Sequence, residues 1–305
     1  MSFAKCLAAC LAGLVLAAHA EPHCPGNVSS LNLRRVQDAL IVARVYINHK
    51  GPYDFLVDTG SQITSIDPAI AAELHLKIEG TTGVSGVATH SSSAYSHLDL
   101  VEAGGSSVPG VLAVVQDLAD FRKADSNLRG ILGENFLTHF DLLIDNRQQM
   151  LCLDQSGALA RAVKGERIPL ATPYGPQDDL PFTQPVIAPA RLALADEVPM
   201  LLRLDSGSSA LLLYAVKPRL LPASVNGASS FTRVINGEQQ TFAVLPAQGV
   251  RVGSIVVNRV PIVVPMNAVG SGPGPREDGL LPTMAFARVF ISYRENYATF
   301  EPWLH

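Results

Sequence analysis

The sequence predicts an all-β protein made of two similar halves, with short helices between the strands. Three observations carry this expectation. Short apolar runs rich in Val, Ile and Leu alternate with turns of Gly, Pro, Asn and Asp. One acidic motif occurs twice in the same setting. The length, 305 residues, suits two units of about 100–150 residues each. A hydrophobic content of 48% with 16% charged residues is that of a folded chain.

The strands nearest the first motif come first. Residues 39–46 are rich in Val, Ile and Ala, Asn48-His49-Lys50-Gly51 is a turn, and residues 53–57 are apolar again. Together they read as a hairpin that delivers Asp58. The apolar run 198–204 leads in the same way into Asp205-Ser206-Gly207-Ser208. Pro52 and Pro199 each stand six residues before their Asp, 58 − 52 and 205 − 199. Gly130-Ile131-Leu132-Gly133 begins 72 residues after Asp58 (130 − 58), and Gly279-Leu280-Leu281-Pro282 begins 74 residues after Asp205 (279 − 205). Beyond those segments the halves align without a gap, residues 136–140 against 285–289, each a short helical turn followed by a strand ending at Leu151 or Phe300. The chain is therefore read as a duplication. In the first half Asp67 before Pro68 and residues 69–74 carry an N-cap, a proline at the first helical position and helix formers. The corresponding stretch of the second half, Ala215-Val216-Lys217-Pro218, is a poorer helix.

The organisation expected is a signal peptide at 1–20, an N-terminal lobe at 21–153, an interlobe connection at 154–185 and a C-terminal lobe at 186–305. The connection is polar and contains Pro169, Pro173, Pro176, Pro181 and Pro185, with a few strand residues around 167–170. The leader has Lys5, an apolar run at 6–18 and the small-x-small pattern Ala18-His19-Ala20. That run is shorter than the ~20 residues a spanning helix needs, so no membrane span is expected and the chain is read as periplasmic or secreted. Removal of 1–20 takes Lys5 and no acid, so 22 basic residues (23 − 1) face 27 acidic ones, a net charge of −5. A pI of about 6.1 without basic runs leaves no footprint for nucleic acid. Cys24 and Cys152 are the cysteines that remain. In an oxidising compartment they form either a bridge or two free thiols.

An apolar strand that aims a carboxylate into a turn needs something to compensate the charge. Two such acids held together, sharing one proton, supply both a base that activates water and an acid that polarises a carbonyl. The two motifs, Asp58-Thr59-Gly60-Ser61 and Asp205-Ser206-Gly207-Ser208, each with its later aliphatic pair, resemble those of pepsin-like and retropepsin-like aspartic proteases. The resemblance covers about residues 39–302. It implies a bilobal pepsin-like acid-protease fold of two β-barrel-like lobes, with Asp58 and Asp205 as the catalytic dyad. It also implies support from Thr59, Gly60, Ser61, Ser206, Gly207 and Ser208. The Thr59 and Ser206 hydroxyls would bond across to the opposite turn, and those of Ser61 and Ser208 would bond the outer carboxyl oxygens. Gly83, Val84, Ser85 and Gly86 stand where the family places its flap, and Asn236-Gly237 offers a hairpin in the second half.

Two residues depart from the family pattern. Arg203 stands where the first half has Leu56, on the side of the strand that carries the acid, where it would either depress the dyad's pKa or bend away to solvent. Pro282 replaces Gly133. The sequence has neither H-E-x-x-H nor G-x-S-x-G, no Gly-Lys phosphate loop and no Cys/His metal spacing, so no metal or cofactor is expected. The function expected is a monomeric aspartic endopeptidase acting on a peptide or protein substrate. The alternatives are a non-catalytic peptide- or protein-binding module of the same fold, or a first half that dimerises by itself.

Overall fold

The computed structural model describes residues 23–304 except 38, 86–89, 174–183, 193–198, 215–227, 236–237 and 267–275. The leader at 1–20, Gly86, the tip Asn236-Gly237 and the weak helix at 215–218 therefore lie outside the described residues. The first half contains β1 (Ser29–Asn32), β2 (Arg34–Val36), β3 (Leu40–Ile47), β4 (Lys50–Val57), β5 (Thr64–Ile66) and α1 (Pro68–Glu73). It continues with β6 (Gly80–Ser85), β7 (His90–Ala103), β8 (Ser106–Val115), α2 (Ala119–Arg122), β9 (Leu128–Leu132) and α3 (Glu134–Leu137). Next come β10 (Asp141–Asp145), β11 (Met150–Asp154), α4 (Ala158–Ala162) and β12 (Ile168–Pro169). The second half has β13 (Ile187–Leu192), β14 (Pro199–Asp205), β15 (Leu211–Leu213), β16 (Ser229–Ile235), β17 (Glu238–Val252), β18 (Ile255–Pro265) and β19 (Gly279–Pro282). It ends with β20 (Arg288–Ser292) and β21 (Tyr297–Glu301). The architecture is all-β with barrel-like sheets.

Both halves close the same ring. In the first, the order is β3-β4-β9-β5-β8-β7, and Val45 opposite Ala103 joins β7 back to β3. The second repeats it as β13-β14-β19-β15-β18-β17, with Arg191 opposite Arg251 joining the ends. In each ring the motif strand pairs in parallel with the Gly-aliphatic strand, β4 with β9 and β14 with β19. Closure removes the open edges that a flat sheet would present. β6 and β16 hang outside the rings as the outer arms of two hairpins.

A six-stranded sheet takes strands from both halves in the order β1-β11-β10-β20-β21-β12. Its seam is the antiparallel pair β10–β20, with Leu142 opposite Ile291 and Ile144 opposite Val289. Every residue of β10 and β11 is buried, because both faces are covered. Side-chain alternation divides them: Leu142 and Ile144 enter the main core shared by the rings, while Leu143, Cys152 and Phe290 face a second cluster with Cys24 and Leu159. That second face is roofed by α4 and the 3₁₀ turn Pro25–Asn27. Cys24 and Cys152 are joined as a disulfide. The stretch 154–185 is thus more than a polar connection, since α4 buries Leu159 and Ala160 in that roof. Strand residues do occur there, as β12.

Candidate active site

Each candidate acid sits where a buried strand runs out. Phe55, Leu56 and Val57 are buried, and the next residue, Asp58, donates its backbone N–H to the Leu132 carbonyl at 3.0 Å. In the other half Leu204 lies beside Leu281 and Asp205 beside Pro282. Ile131-Leu132 and Leu280-Leu281 therefore flank the two turns directly.

The turns are locked to each other by four hydrogen bonds in two matching pairs. The Thr59 hydroxyl donates to the Leu204 carbonyl at 2.8 Å and accepts from the Ser206 N–H at 3.1 Å. The Ser206 hydroxyl donates to the Val57 carbonyl at 2.8 Å and accepts from the Thr59 N–H at 3.0 Å. All four are buried, so each replaces a desolvation penalty rather than a bond to water. A Cβ added to Gly60 would stand 2.7 Å from Asp205 Cγ, and one added to Gly207 2.7 Å from Asp58 Cγ. Glycine is required because each turn presses its backbone against the carboxyl of the other half.

Asp58 and Asp205 are brought together in this way. The Gly60 N–H donates to Asp58 Oδ1 at 2.8 Å, and the Gly207 N–H to Asp205 Oδ1 at 2.7 Å. Asp205 is buried, whereas Asp58 keeps part of its surface open. Burial raises the pKa of Asp58, opposed by the Gly60 N–H, by its bond with Asp205 and by the Ser61 N–H. Asp205 is raised well above the ordinary carboxylate range, by burial first and then by the Asp58 charge. Such a pair titrates in two steps that belong to the pair as a whole.

Two residues depart from the expected pattern of support. The Ser61 hydroxyl donates to the Ile63 carbonyl at 3.1 Å and the Ser208 hydroxyl to the Ala210 carbonyl at 2.8 Å, not to the carboxyls. A serine reaching the carbonyl two residues on closes its own turn, which competes with the outward bond. The Ser61 N–H donates to the Asp58 backbone carbonyl at 3.3 Å and so closes the same turn.

Gly83 and Val84 lie on β6, opposite Ser92 and Ser91, and Ser85 pairs through its backbone with His90. Nothing lies within 4 Å of where a Gly83 Cβ would be, so open space adjoins this position of the arm. Arg203 does not reach solvent: its side chain is 10% exposed and lies between Glu134 and Glu277. Neither glutamate was singled out from sequence. The available signal was a carboxylate, Glu134, set between Ile131-Leu132 and Phe136-Leu137, a place that demands a partner. Among the described residues no three His, Cys, Asp or Glu side chains gather as a metal site would, and no helix is long and apolar enough to cross a membrane. A cavity of about 620 Å³ bounded by Ile168, Pro189, Met200 and Arg251 includes neither aspartate and is separate from the dyad.

Residues 43–136 match the family model for aspartyl proteases. Among solved structures, a retropepsin-like aspartic protease from Rickettsia conorii aligns at 21% identity over 41% of this chain and 90% of its own, with a TM-score of 0.30. No functionally curated protein matches the chain. Over residues 43–136, which include the first of the two motifs, the chain is similar to the aspartyl proteases.

Proposed function

We propose that the protein is an aspartic endopeptidase with a bilobal, pepsin-like arrangement, which hydrolyses peptide bonds through the Asp58/Asp205 dyad. The single observation that carries the reading is the reciprocal approach of the two turns, each glycine packed on the other half's carboxyl. One carboxylate and one carboxylic acid facing a common point form a base and an acid within reach of the same water and carbonyl. Asp58, which is the more open of the two and the less strongly raised, takes the proton from water. Asp205, whose ionisation is opposed by burial and by its twin, lends its proton to the carbonyl oxygen. As the tetrahedral adduct collapses, the C–N bond breaks, the proton on Asp58 moves to the leaving amine, and one hydroxyl of the adduct returns its proton to Asp205, which restores the pair. The β6–β7 hairpin closes over the bound peptide as a flap, through Gly83, Val84 and Ser85.

A single chain supplies both acids, so the active form is a monomer. The leader places it in the periplasm or outside the cell, where the disulfide persists. The test is incubation of the mature chain with denatured protein across pH 3–8, with and without a statine-type inhibitor, beside Asp58→Ala. The expected result is fragments that disappear with inhibitor and in the variant. Absence of inhibitor-sensitive fragments at every pH would transfer the fold to a peptide-binding role.

A further inference from the structure

Arg203 lies on β14, two residues before Asp205. Its Nη1 stands 3.4 Å from the Gly60 carbonyl, a long contact, and 3.8 Å from Glu134 Oε1. Its Nε stands 3.2 Å from Glu277 Oε1, a Coulombic contact rather than an aligned hydrogen bond. Gly60 and Glu134 belong to the first half and Glu277 to the second, so one guanidinium touches both. A buried cation persists only where anions and carbonyls surround it. Here Glu277 and Glu134 oppose the desolvation that would lower the Arg203 pKa and keep the guanidinium charged. Tyr293 also faces the cluster, and Asp58 feels the same charge.

The arrangement is one-sided. By the alignment of the halves, Leu56 occupies in the first the position of Arg203, and Thr283 occupies in the second the position of Glu134. The reciprocal hydrogen bonds treat the two turns alike; this contact braces only the turn that carries Asp58.

We propose that Arg203 is a positioning residue for the dyad: anchored by Glu277 and Glu134, it holds the Gly60 turn against the opposite half and sets a fixed positive charge behind both carboxyls. The catalytic consequence rests on the protease reading above, but the effect on the carboxyls does not. Its charge lowers both acids against the upward push of burial, and so keeps the singly ionised pair within reach of mildly acidic pH.

The test compares Arg203→Met, Arg203→Lys and the double variant Arg203→Met/Glu277→Gln with the intact chain. The double variant removes one buried charge of each sign, leaves the net buried charge unchanged, and so folds where the single one fails. Arg203→Met raises both limbs of the pH profile of kcat/KM by about one unit. It lowers kcat about tenfold and leaves KM within about twofold. Arg203→Lys restores the limbs, because the charge stays, but not all of kcat, because an ammonium lacks the planar fork. A readout that needs no cleavage runs beside these: ¹³C titration of the aspartate carboxyls, assigned with Asp58→Asn and Asp205→Asn. In Arg203→Met the dyad's titration moves upward, and in the double variant it moves upward by less, because the lost Glu277 charge offsets part of the shift. If the intact chain fails to cleave but the titration moves, the protease reading falls and the positioning effect stands. If the intact chain cleaves and the folded Met variants keep its limbs, kcat and carboxyl titration, Arg203 only fills space and the proposal is overturned.

Discussion

At the scale of single residues, the dyad is a stability liability with a definite pH sign. Both acids have folded-state pKa values raised above the roughly 3.9 of an unfolded Asp. The folded chain therefore binds more protons than the unfolded chain in that window, and stability falls as pH rises. The contribution is complete below about pH 4 and is lost as pH passes through the folded values. Asp205→Asn keeps the shape and removes the like charge. It is expected to abolish cleavage while raising the melting midpoint at pH 7 by about 2–6 °C, with a gain that vanishes near pH 4. Melting curves from pH 4 to 8 decide this; an Asp205→Asn variant no more stable than its parent at pH 7 contradicts the assigned burial. The hydroxyl network gives a second prediction. Thr59→Val leaves the buried Ser206 N–H and Leu204 carbonyl without their partner, which costs about 1–3 kcal/mol in urea unfolding. Ser206→Ala should match it, and a clear inequality between the two would mean that the lock is less symmetric than its geometry.

At the scale of elements, what was legible was what is local. The hairpin of β3 and β4 and the cap of α1 follow from short spacings in the chain, whereas the flanking aliphatic pairs, 72 and 74 residues beyond their aspartates, were legible only because the chain repeats them. Asp67 Oδ1 accepts from the Ala69 N–H at 2.9 Å, and its other oxygen meets Arg122. Asp67→Ala therefore loses a cap and an ion pair, about 1–3 kcal/mol together, whereas Asp67→Asn retains the cap and should lose less than half of that. Equal losses for the two substitutions in chemical denaturation would show that the ion pair, not the cap, carries the effect. By contrast β1, Ser-Ser-Leu-Asn, has little strand character of its own. It is extended because β11 offers it a free edge, Ser30 lying opposite Cys152. Helix α4 was missed for a related reason: it is only five residues long, its first N–H groups are capped from Asp154 and Ser156 rather than from the adjacent Gly157, and Leu159 has an apolar face to cover.

At the scale of the whole molecule, the duplication was legible and its breaking was not. The same ring order recurs because both halves solve the same problem, delivering an acid to a shared axis. The contact of Arg203 with Glu134 joins residues 69 apart (203 − 134) and has no counterpart in the repeat, so no periodicity announces it. The disulfide belongs with these long-range features. It links residues 128 apart and pins the turn at 25–27 over the second face of the six-stranded sheet, beside Leu143, Phe290 and Leu159. Its removal restores freedom to a long loop of the unfolded chain, and the loss expected for Cys24→Ala/Cys152→Ala is about 2–5 kcal/mol. Because the dyad is held by the two rings and not by this roof, cleavage at temperatures well below the melting midpoint should survive. Dithiothreitol should lower the midpoint of the parent chain to that of the double variant and leave the variant unmoved. Alkylation of both cysteines in the unreduced, folded chain, or a reductant effect on the variant itself, would show that the roof is held by packing alone.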